Sequence, residues 1–280
     1  MRLPIHPFWV SLASLSVIAL AGCAASSSAT RKSAAVPEIA PGFLAGYLPK
    51  TELPDSLALL PPPPAEGSAA FAADEAAYRT TRSLRGTPRW ALAVQDAKLD
   101  FPAAAHAFSC ALGTAITEQH TPSLYMIMRR SLVDGGMATS AAKSHYQRRR
   151  PFMVYEEASC TPQDEPQLRK NGSYPSGHSA AGWAWALILA EVAPERSDSI
   201  LQRGYAFGQS RVICGVHWQS DVTEGRVIGA SAVARLHSDP VFEADLQAAK
   251  AELAAARKQG RKPDVDCSAE AAALATQAPR

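Results

Sequence analysis

Three short segments of the sequence contain the residue types that phosphoryl transfer requires. Lys143 and Arg150 are separated by six residues, and Arg211 follows much later in the chain. Such cations neutralise a phosphate group, and arginine also offers it a planar fork of donors. Asp221 lies four residues after His217, and on a helix this spacing predicts that its carboxylate accepts the Nδ1 proton and leaves Nε2 as a nucleophile. Together the segments predict an oxyanion site with a histidine nucleophile.

A glycine-containing loop precedes an apolar run. The run covers residues 180–193 and predicts a helix, and the loop before it contains Ser176, Gly177 and His178. A helix N-terminus offers unpaired N–H groups to an anion, and a glycine there permits close approach. We expect His178 at the mouth of this phosphate site as a second titratable group.

The elements that carry these residues are predicted to be helices. Lys143 and Arg150 are two helical turns apart, so the spacing predicts one helix that shows both to the same side and ends at Pro151. His145 should project away from that side. Arg148 and Arg149 are expected in solvent, and the alternative is that either extends the positive field at the rim of the site. The whole pattern predicts an all-α, single compact multi-helix domain, with helical segments at 68–83, 88–97, 101–117, 122–146, 178–193, 197–211, 219–237 and 240–258.

Composition limits the function classes. The chain has 280 residues, 47% of them hydrophobic, which suffices for one substantial core. Lysine plus arginine (28) nearly balances aspartate plus glutamate (26), so the basic footprint of a nucleic-acid binder is missing. No C-x-x-C spacing indicates a metal site, and the predicted cations make a metal or other cofactor unnecessary. A phosphate-binding lipoprotein without turnover is the alternative, but it leaves the pair of His217 and Asp221 unexplained.

The N-terminus predicts export. Residues 1–22 have the length and apolar core of a signal peptide. Their last three residues and Cys23 form a Leu-Ala-Gly-Cys string that resembles a lipobox. We therefore expect a periplasmic protein, anchored to the outer membrane through lipidated Cys23; simple cleavage is the alternative. Residues 23–46 are predicted to be a flexible Ala/Ser-rich tether, 47–258 the catalytic domain and 259–280 a polar tail.

The remaining cysteines are even in number, which fits one or two disulfides in an oxidising compartment. The sequence does not choose among the three pairings, and free thiols are the alternative. The four cysteines are Cys110, Cys160, Cys214 and Cys267.

The motifs resemble a known signature. K-x6-R-P at 143–151, P-S-G-H at 175–178 and S-R-x5-H-x3-D at 210–221 are similar to the pattern shared by bacterial class A nonspecific acid phosphatases, type 2 phosphatidic acid phosphatases and vanadium haloperoxidases. The strings at 172–179 and 208–221, and the prolines at 61–64, resemble the class A phosphatases in particular. The resemblance extends over roughly residues 47–258.

The resemblance implies a role for each matching residue. It implies that Lys143, Arg150, Ser176, Gly177 and Arg211 bind the phosphate. It also implies His217 as nucleophile, His178 as general acid and Asp221 as the carboxylate that orients the nucleophile.

The activity that the resemblance implies is metal-independent hydrolysis of many phosphate monoesters, such as nucleotides, sugar phosphates and aryl phosphates, with phosphotransfer to alcohols as a side activity. It also implies a homodimer. A vanadate-dependent haloperoxidase is the alternative, because a site for one tetrahedral oxyanion also holds vanadate. A lipid phosphate phosphatase resembles a protein with several membrane spans, and the sequence has no such apolar stretch after residue 22.

Overall fold

The computed structural model describes Met1 and residues 36–276 and confirms the predicted all-α architecture. Two short strands, β1 (Glu38–Ala40) and β2 (Phe43–Leu44), form an antiparallel hairpin. The α-helices in chain order are α1 (Ser56–Leu59), α2 (Ala69–Thr81), α3 (Pro88–Asp96), α4 (Ala103–His106), α5 (Ser109–Leu112), α6 (Pro122–Met137), α7 (Ser140–Tyr146), α8 (Pro151–Val154), α9 (Glu165–Leu168), α10 (Gly177–Val192), α11 (Ser197–Ile213), α12 (Gln219–Leu236), α13 (Pro240–Lys258) and α14 (Cys267–Ala275). Short 3₁₀ turns lie at Lys50–Glu52, Arg82–Leu84, Pro162–Asp164 and Pro194–Arg196.

Helix α10 is the centre of the domain. It is apolar on nearly all sides, as expected of a helix that other helices surround, and it packs against α6, α11 and α12. Trp185 is fully buried in its middle and donates its indole N–H to the carbonyl of Met128 on α6 at 2.8 Å. The N-terminus of α10, which carries part of the predicted site, is therefore held by three neighbours.

Helix α12 lies unusually close to α10. A Cβ on Gly229 would lie 2.3 Å from the carbonyl oxygen of Ala180, so only glycine permits this approach. The same contact brings the start of α12 to the start of α10, where the N–H of Ser176 donates to the carbonyl of Asp221 at 2.9 Å. The two motifs are thus joined by backbone.

The predicted bounds of the last long helix, 240–258, agree with those of α13. Asp239 caps α13 by accepting from the N–H groups of Val241 and Phe242, and Pro240 occupies the first helical position. The predicted segment 122–146 is instead two helices, α6 and α7. Gly135 and Gly136 weaken the helix at this point, and Thr139 turns its Oγ1 back to the carbonyl of Gly136 at 2.6 Å.

The described structure includes residues before the predicted boundary at Tyr47. Residues 36–46 were expected in the tether, but they form the β1–β2 hairpin and the segment that ties it to α6. Arg130 on α6 donates to the carbonyls of Ala45 and Gly46, and Asp134 accepts from the N–H groups of Tyr47 and Leu48. The predicted signal peptide, Cys23 and the tether up to residue 35 lie outside the described residues.

The predicted polar tail also contains an ordered helix. Asp266 caps α14, which packs against α3 and is joined to the domain by a disulfide between Cys110 and Cys267. A second disulfide joins Cys160 to Cys214 at the end of α11. Among the described residues, no helix is both long and apolar enough to cross a membrane.

Candidate active site

A cavity of about 390 Å³ opens between the β1–β2 hairpin, the end of α6 and the start of α10. Its floor is polar and its wall is apolar. The floor consists of Lys143, Arg150, Asn171, His178, Arg211 and His217. Five of these six were predicted site residues, and only Asn171 was not.

Lys143 reaches the floor from α7. Its Nζ donates to the backbone carbonyls of Gly172 at 2.9 Å and Ser173 at 3.4 Å. Burial and the neighbouring guanidinium of Arg150 lower the pKa of Lys143 to about 7, although Asp221 acts in the opposite direction. A bound anion would therefore favour the charged form of this lysine.

Arg150 does not share a helix with Lys143, contrary to the prediction. Helix α7 ends at Tyr146 because Gln147 adopts a left-handed conformation (φ 44°), and Arg150 is the N-cap of α8, which Pro151 begins. The intervening loop, not the helical period, brings the two cations together.

The guanidinium of Arg150 is buried and heavily bonded. It donates to the carbonyl of Val216 at 2.9 Å, to Oδ1 of Asn171 at 2.6 Å and to Nε2 of His217 at 3.1 Å. Burial lowers its pKa to about 10, so it remains protonated. Asn171 gives no sequence signal of its own beyond its place next to Gly172, since loop asparagines commonly serve turns.

Arg211 lines the cavity and has unused donors. It lies on the last turn of α11 and is 2% exposed, and its Nε and Nη1 have no acceptor among the described residues. Burial, followed by the charge of Arg150, lowers its pKa to about 10, so it too stays charged. A buried guanidinium with free donors is costly unless an anion binds to it.

A tight turn connects Arg211 to His217. Gly215 has a φ of 78°, and a Cβ there would lie 2.8 Å from Nη1 of Arg82. The N–H groups of Val216 and His217 return to the carbonyl of Arg211. The C-terminal cap of α11 therefore fixes the distance between the cation and the histidine.

The partners of His217 decide its tautomer. Arg150 can only donate, so Nε2 of His217 must accept, and Nδ1–H donates to Oδ2 of Asp221 at 3.2 Å. The four-residue spacing predicted that His217 and Asp221 share a helix, but His217 lies before the helix. Trp218 is the N-cap of α12, and Asp221 occupies its first turn. Oδ2 of Asp221 also accepts the N–H of Trp218 at 2.9 Å, which fixes the carboxylate.

Arg148 is a buried partner of Asp221, so the prediction that it lies in solvent was wrong. Its Nη1 donates to Oδ1 of Asp221 at 2.7 Å, and its Nη2 donates to Oδ2 of Asp74 at 2.7 Å. Asp74 in turn accepts from the backbone N–H of Ser220 at 2.8 Å. The neighbouring Arg149 is exposed, as expected.

His178 occupies the second position of α10. Its Nε2 lies 2.9 Å from the carbonyl oxygen of Ala97, which can only accept, so Nε2 carries a proton. The ring lies nearly parallel to Phe207, with centroids 6.2 Å apart. Burial and then the charge of Arg211 lower the pKa of His178 well below its usual value.

The other two predicted phosphate ligands differ in position. Gly177 lines the cavity at the first position of α10. Ser176 is fully buried and does not line it, because its Oγ is the N-cap that accepts from the N–H of Ser179 at 3.2 Å and lies 2.9 Å from the hydroxyl of Ser179.

Two other features bear on where chemistry can occur. Within residues 36–276, no group of three His, Cys, Asp or Glu side chains could hold a metal ion. A larger cavity of about 580 Å³ lies between α3 and α14, but its arginine, Arg203, is paired with Asp96 and Glu270. The smaller cavity therefore combines the unpaired cation with the oriented histidine.

Comparison with known proteins identifies the family of the chain. Residues 121–242 match the model of the PAP2 superfamily. The chain is 51% identical over 213 residues to a non-specific acid phosphatase of Providencia stuartii, covering 76% of this chain and 86% of that protein. It is 45% identical over 195 residues to a non-specific acid phosphatase of Salmonella typhimurium (69% and 78%), and 41% identical over 210 residues to an acid phosphatase of Zymomonas mobilis (75% and 80%). The chain therefore belongs to the class A non-specific acid phosphatases of the PAP2 superfamily.

Proposed function

We propose that this chain hydrolyses phosphate monoesters through a phosphohistidine intermediate on His217 and that it needs no metal for the reaction. The observation that carries the proposal is the buried guanidinium of Arg211, which lines the same cavity as His217 and whose Nε and Nη1 have no acceptor among the described residues. An anion bound between Arg211 and His217 would accept from these donors and compensate the buried charge. The acid phosphatase names of the relatives support a phosphate ester as that anion.

The three cations take the part that a metal plays in other phosphatases. Lys143, Arg150 and Arg211 surround the phosphate oxygens, and N–H groups at the start of α10 add further donors. When the phosphate binds, its oxygens replace Nε2 of His217 as the acceptor for Nη1 of Arg150. This exchange frees the lone pair of Nε2 for attack.

The reaction then has two balanced steps. Nε2 of His217 forms a bond to phosphorus, the P–O bond to the alcohol breaks, and protonated His178 gives its proton to the departing alkoxide. A water molecule next attacks phosphorus while His178 takes one of its protons, and the N–P bond breaks to release inorganic phosphate. Because Nε2–H of His178 is held by the carbonyl of Ala97, the transferred proton is the one on Nδ1. An alcohol in place of water gives phosphotransfer.

The lowered pKa values predict an acidic preference. Burial, followed by the charge of Arg150, lowers the pKa of His217, so its Nε2 is unprotonated over most of the pH range. Burial also lowers the pKa of His178, so the general acid is charged only in acidic solution until the phosphate dianion raises its pKa. Turnover should therefore fall as pH rises, because the population of protonated His178 falls.

Hydrolysis of 4-nitrophenyl phosphate in excess chelator tests this function. We expect wild-type turnover to be highest at acidic pH and to resist the chelator. His217→Ala should lose at least about 10³-fold in kcat, and His178→Ala about 10²-fold or more. His145→Ala is the matched control, since His145 is exposed and does not line the cavity.

The outcomes discriminate between the alternatives. Full turnover in His217→Ala would overturn the phosphohistidine mechanism. Loss of wild-type turnover in chelator would overturn metal independence. A wild-type protein that binds phosphate but never hydrolyses the ester would favour a binding lipoprotein, and bromide oxidation with added vanadate would favour a haloperoxidase.

We also propose that the protein is exported and attached through lipidated Cys23. The two disulfides support an oxidising compartment. Labelling with a palmitate analogue should mark the wild type, and Cys23→Ala should abolish the label. An unlabelled wild-type protein in the soluble periplasmic fraction would instead support simple signal cleavage.

A further inference from the structure

The wall of the active-site cavity is entirely apolar in its side chains. Outside the six floor residues, every residue that lines the cavity has a hydrocarbon or thioether side chain, or is glycine. Five of these apolar residues, which belong to the hairpin, to the segment after α3 and to α6, are called here the apolar collar: Ile39, Phe43, Leu99, Val133 and Met137. An ester that places its phosphate on the polar floor has only this apolar lining left to contact its alcohol within the cavity.

The collar exposes apolar surface that the fold does not bury. Ile39 is 55% exposed and Met137 is 41% exposed, whereas Phe43, Leu99 and Val133 are partly buried. Exposed apolar groups gathered at the opening of a cavity are typical of a ligand-binding surface, whereas single ones scattered on a surface are not informative.

Specific contacts hold the collar in place. The hairpin that carries Ile39 and Phe43 is followed by Ala45 and Gly46, whose carbonyls accept from Arg130 on α6. Two further N–H groups of this segment donate to buried Asp134, also on α6. The same helix carries Val133 and Met137. One helix therefore provides one side of the collar and positions the other.

The chemistry of the collar favours one kind of alcohol. Its side chains offer no hydrogen-bond donor or acceptor to replace the water that a sugar hydroxyl loses on entering. An alkyl or aryl group loses no hydrogen bonds there and removes apolar surface from water on both sides. The collar therefore discriminates by polarity, while the floor recognises only the phosphate.

We propose that the apolar collar is a leaving-group subsite that selects phosphate monoesters of alkyl or aryl alcohols over sugar phosphates. The proposal rests on the proposed function, because only a phosphatase gives the bound alcohol the role of leaving group. The subsite itself is a matter of binding. It can therefore be tested without turnover.

The test is calorimetric titration with unbranched alkylphosphonates, from methyl to hexyl, which the enzyme cannot hydrolyse. We expect the dissociation constant to fall about twofold with each added methylene, less than full burial would give because the collar is open to solvent. Met137→Gln and Ile39→Asn should reduce this gain without weakening methylphosphonate. Both residues are exposed, so the substitutions should not disturb folding.

Leu59→Gln provides the matched control. Leu59 is 52% exposed on α1 and does not line the cavity, so the chain-length gain should be unchanged. A dissociation constant that is flat along the series would overturn the proposal, and so would the same reduction in Leu59→Gln or an absence of phosphonate binding. A chain-length gain in a wild type that fails to hydrolyse 4-nitrophenyl phosphate would retain the subsite and overturn only the phosphatase.

Discussion

Lys143 is the residue whose charge depends most directly on the anion. Its Nζ contacts two backbone carbonyls, the charges of Arg150 and Arg211 act against its own, and Asp221 has the opposite sign. With its pKa lowered to about 7, it is charged at pH 6 and neutral at pH 9. Sulfate is a dianion throughout this range. We therefore expect its dissociation constant to rise about tenfold between pH 6 and pH 9, in line with the loss of one charged hydrogen bond.

Two variants check this prediction by calorimetry. Lys143→Gln should bind sulfate weakly at pH 6 and show little further change up to pH 9. Lys170→Gln removes an exposed lysine from the same region and should keep the wild-type pH dependence. The pKa values of both cavity histidines are lowered, so they contribute little above pH 6.5. A pH dependence that persists in Lys143→Gln would contradict the assignment to Lys143.

Arg148 is predicted to orient the carboxylate that orients the nucleophile. It bridges Asp221 and Asp74 from a side chain that is only 8% exposed. In Arg148→Gln we expect kcat for 4-nitrophenyl phosphate to fall about 10- to 100-fold with little change in KM, because the histidine loses orientation while the phosphate donors remain.

Arg149→Gln is the control, since Arg149 is exposed next in the chain and should leave kcat unchanged. Thermal unfolding separates the structural contribution, because unpaired buried carboxylates also lower the melting temperature. A lower melting temperature with unchanged kcat would show that Arg148 only stabilises the fold.

At the residue scale, the sequence predicted the floor of the cavity well and its supports poorly. The predicted cations and histidines carry recognisable chemistry at fixed spacing, so they could be named in advance. Arg148 and Asn171 could not, because a charged or amide side chain in a loop is usually solvated. Only the packing of α2 against the start of α12 shows that Arg148 has two carboxylate partners.

At the scale of elements, helical periodicity predicted the long helices. It wrongly attributed two short distances within the site, Lys143 to Arg150 and His217 to Asp221, to helical turns. The interval between Lys143 and Arg150 looks like two turns of one helix, yet Gln147 breaks the helix. The interval between His217 and Asp221 spans a helix N-cap instead of a helical turn. Equal sequence intervals can thus arise from a loop, because the tertiary contacts of the loop determine its path.

The contact between α10 and α12 allows a direct test at this scale. In Gly229→Ala the new Cβ would lie 2.3 Å from the carbonyl oxygen of Ala180, so α12 must move away and take Asp221 with it. We expect the free energy of unfolding to fall by about 1–3 kcal/mol, despite the better helix propensity of alanine, and kcat to fall as well. Chemical denaturation and steady-state kinetics measure the two effects.

Val227→Ala on the same helix is the control. Val227 is 45% exposed, so its truncation should cost well under 1 kcal/mol and leave kcat unchanged. If Gly229→Ala were as stable and active as wild type, the close approach of the two helices would have no part in aligning the motifs.

For the whole molecule, the ends of the domain were the hardest parts to predict. The β1–β2 hairpin has strands of only 3 and 2 residues, and α14 is short and rich in alanine, so neither has a strong periodic pattern. Their order depends on distant partners, namely the α6 side chains for the hairpin and Cys110 for α14. Cys267 was the only sequence signal that the C-terminal segment is attached.

The two disulfides should contribute differently to stability and to activity. Cys110 and Cys267 close a span of 157 residues and do not line the active-site cavity. Replacing both with alanine should lower the free energy of unfolding by about 3–5 kcal/mol and leave kcat at 25 °C unchanged.

The Cys160–Cys214 disulfide closes a shorter span of 54 residues but lies next to the catalytic turn. Cys214 follows Arg211 by three residues, and its carbonyl accepts the N–H of Cys160 at 3.0 Å. Replacing this pair with alanine should loosen the segment that fixes Arg211 relative to His217, so kcat should fall as well as stability. The comparison of kcat and unfolding free energy in the two double variants measures this difference. An equal loss of kcat in both would mean that the disulfides support only the whole fold, and that the turn after α11 holds its shape without the bond beside it.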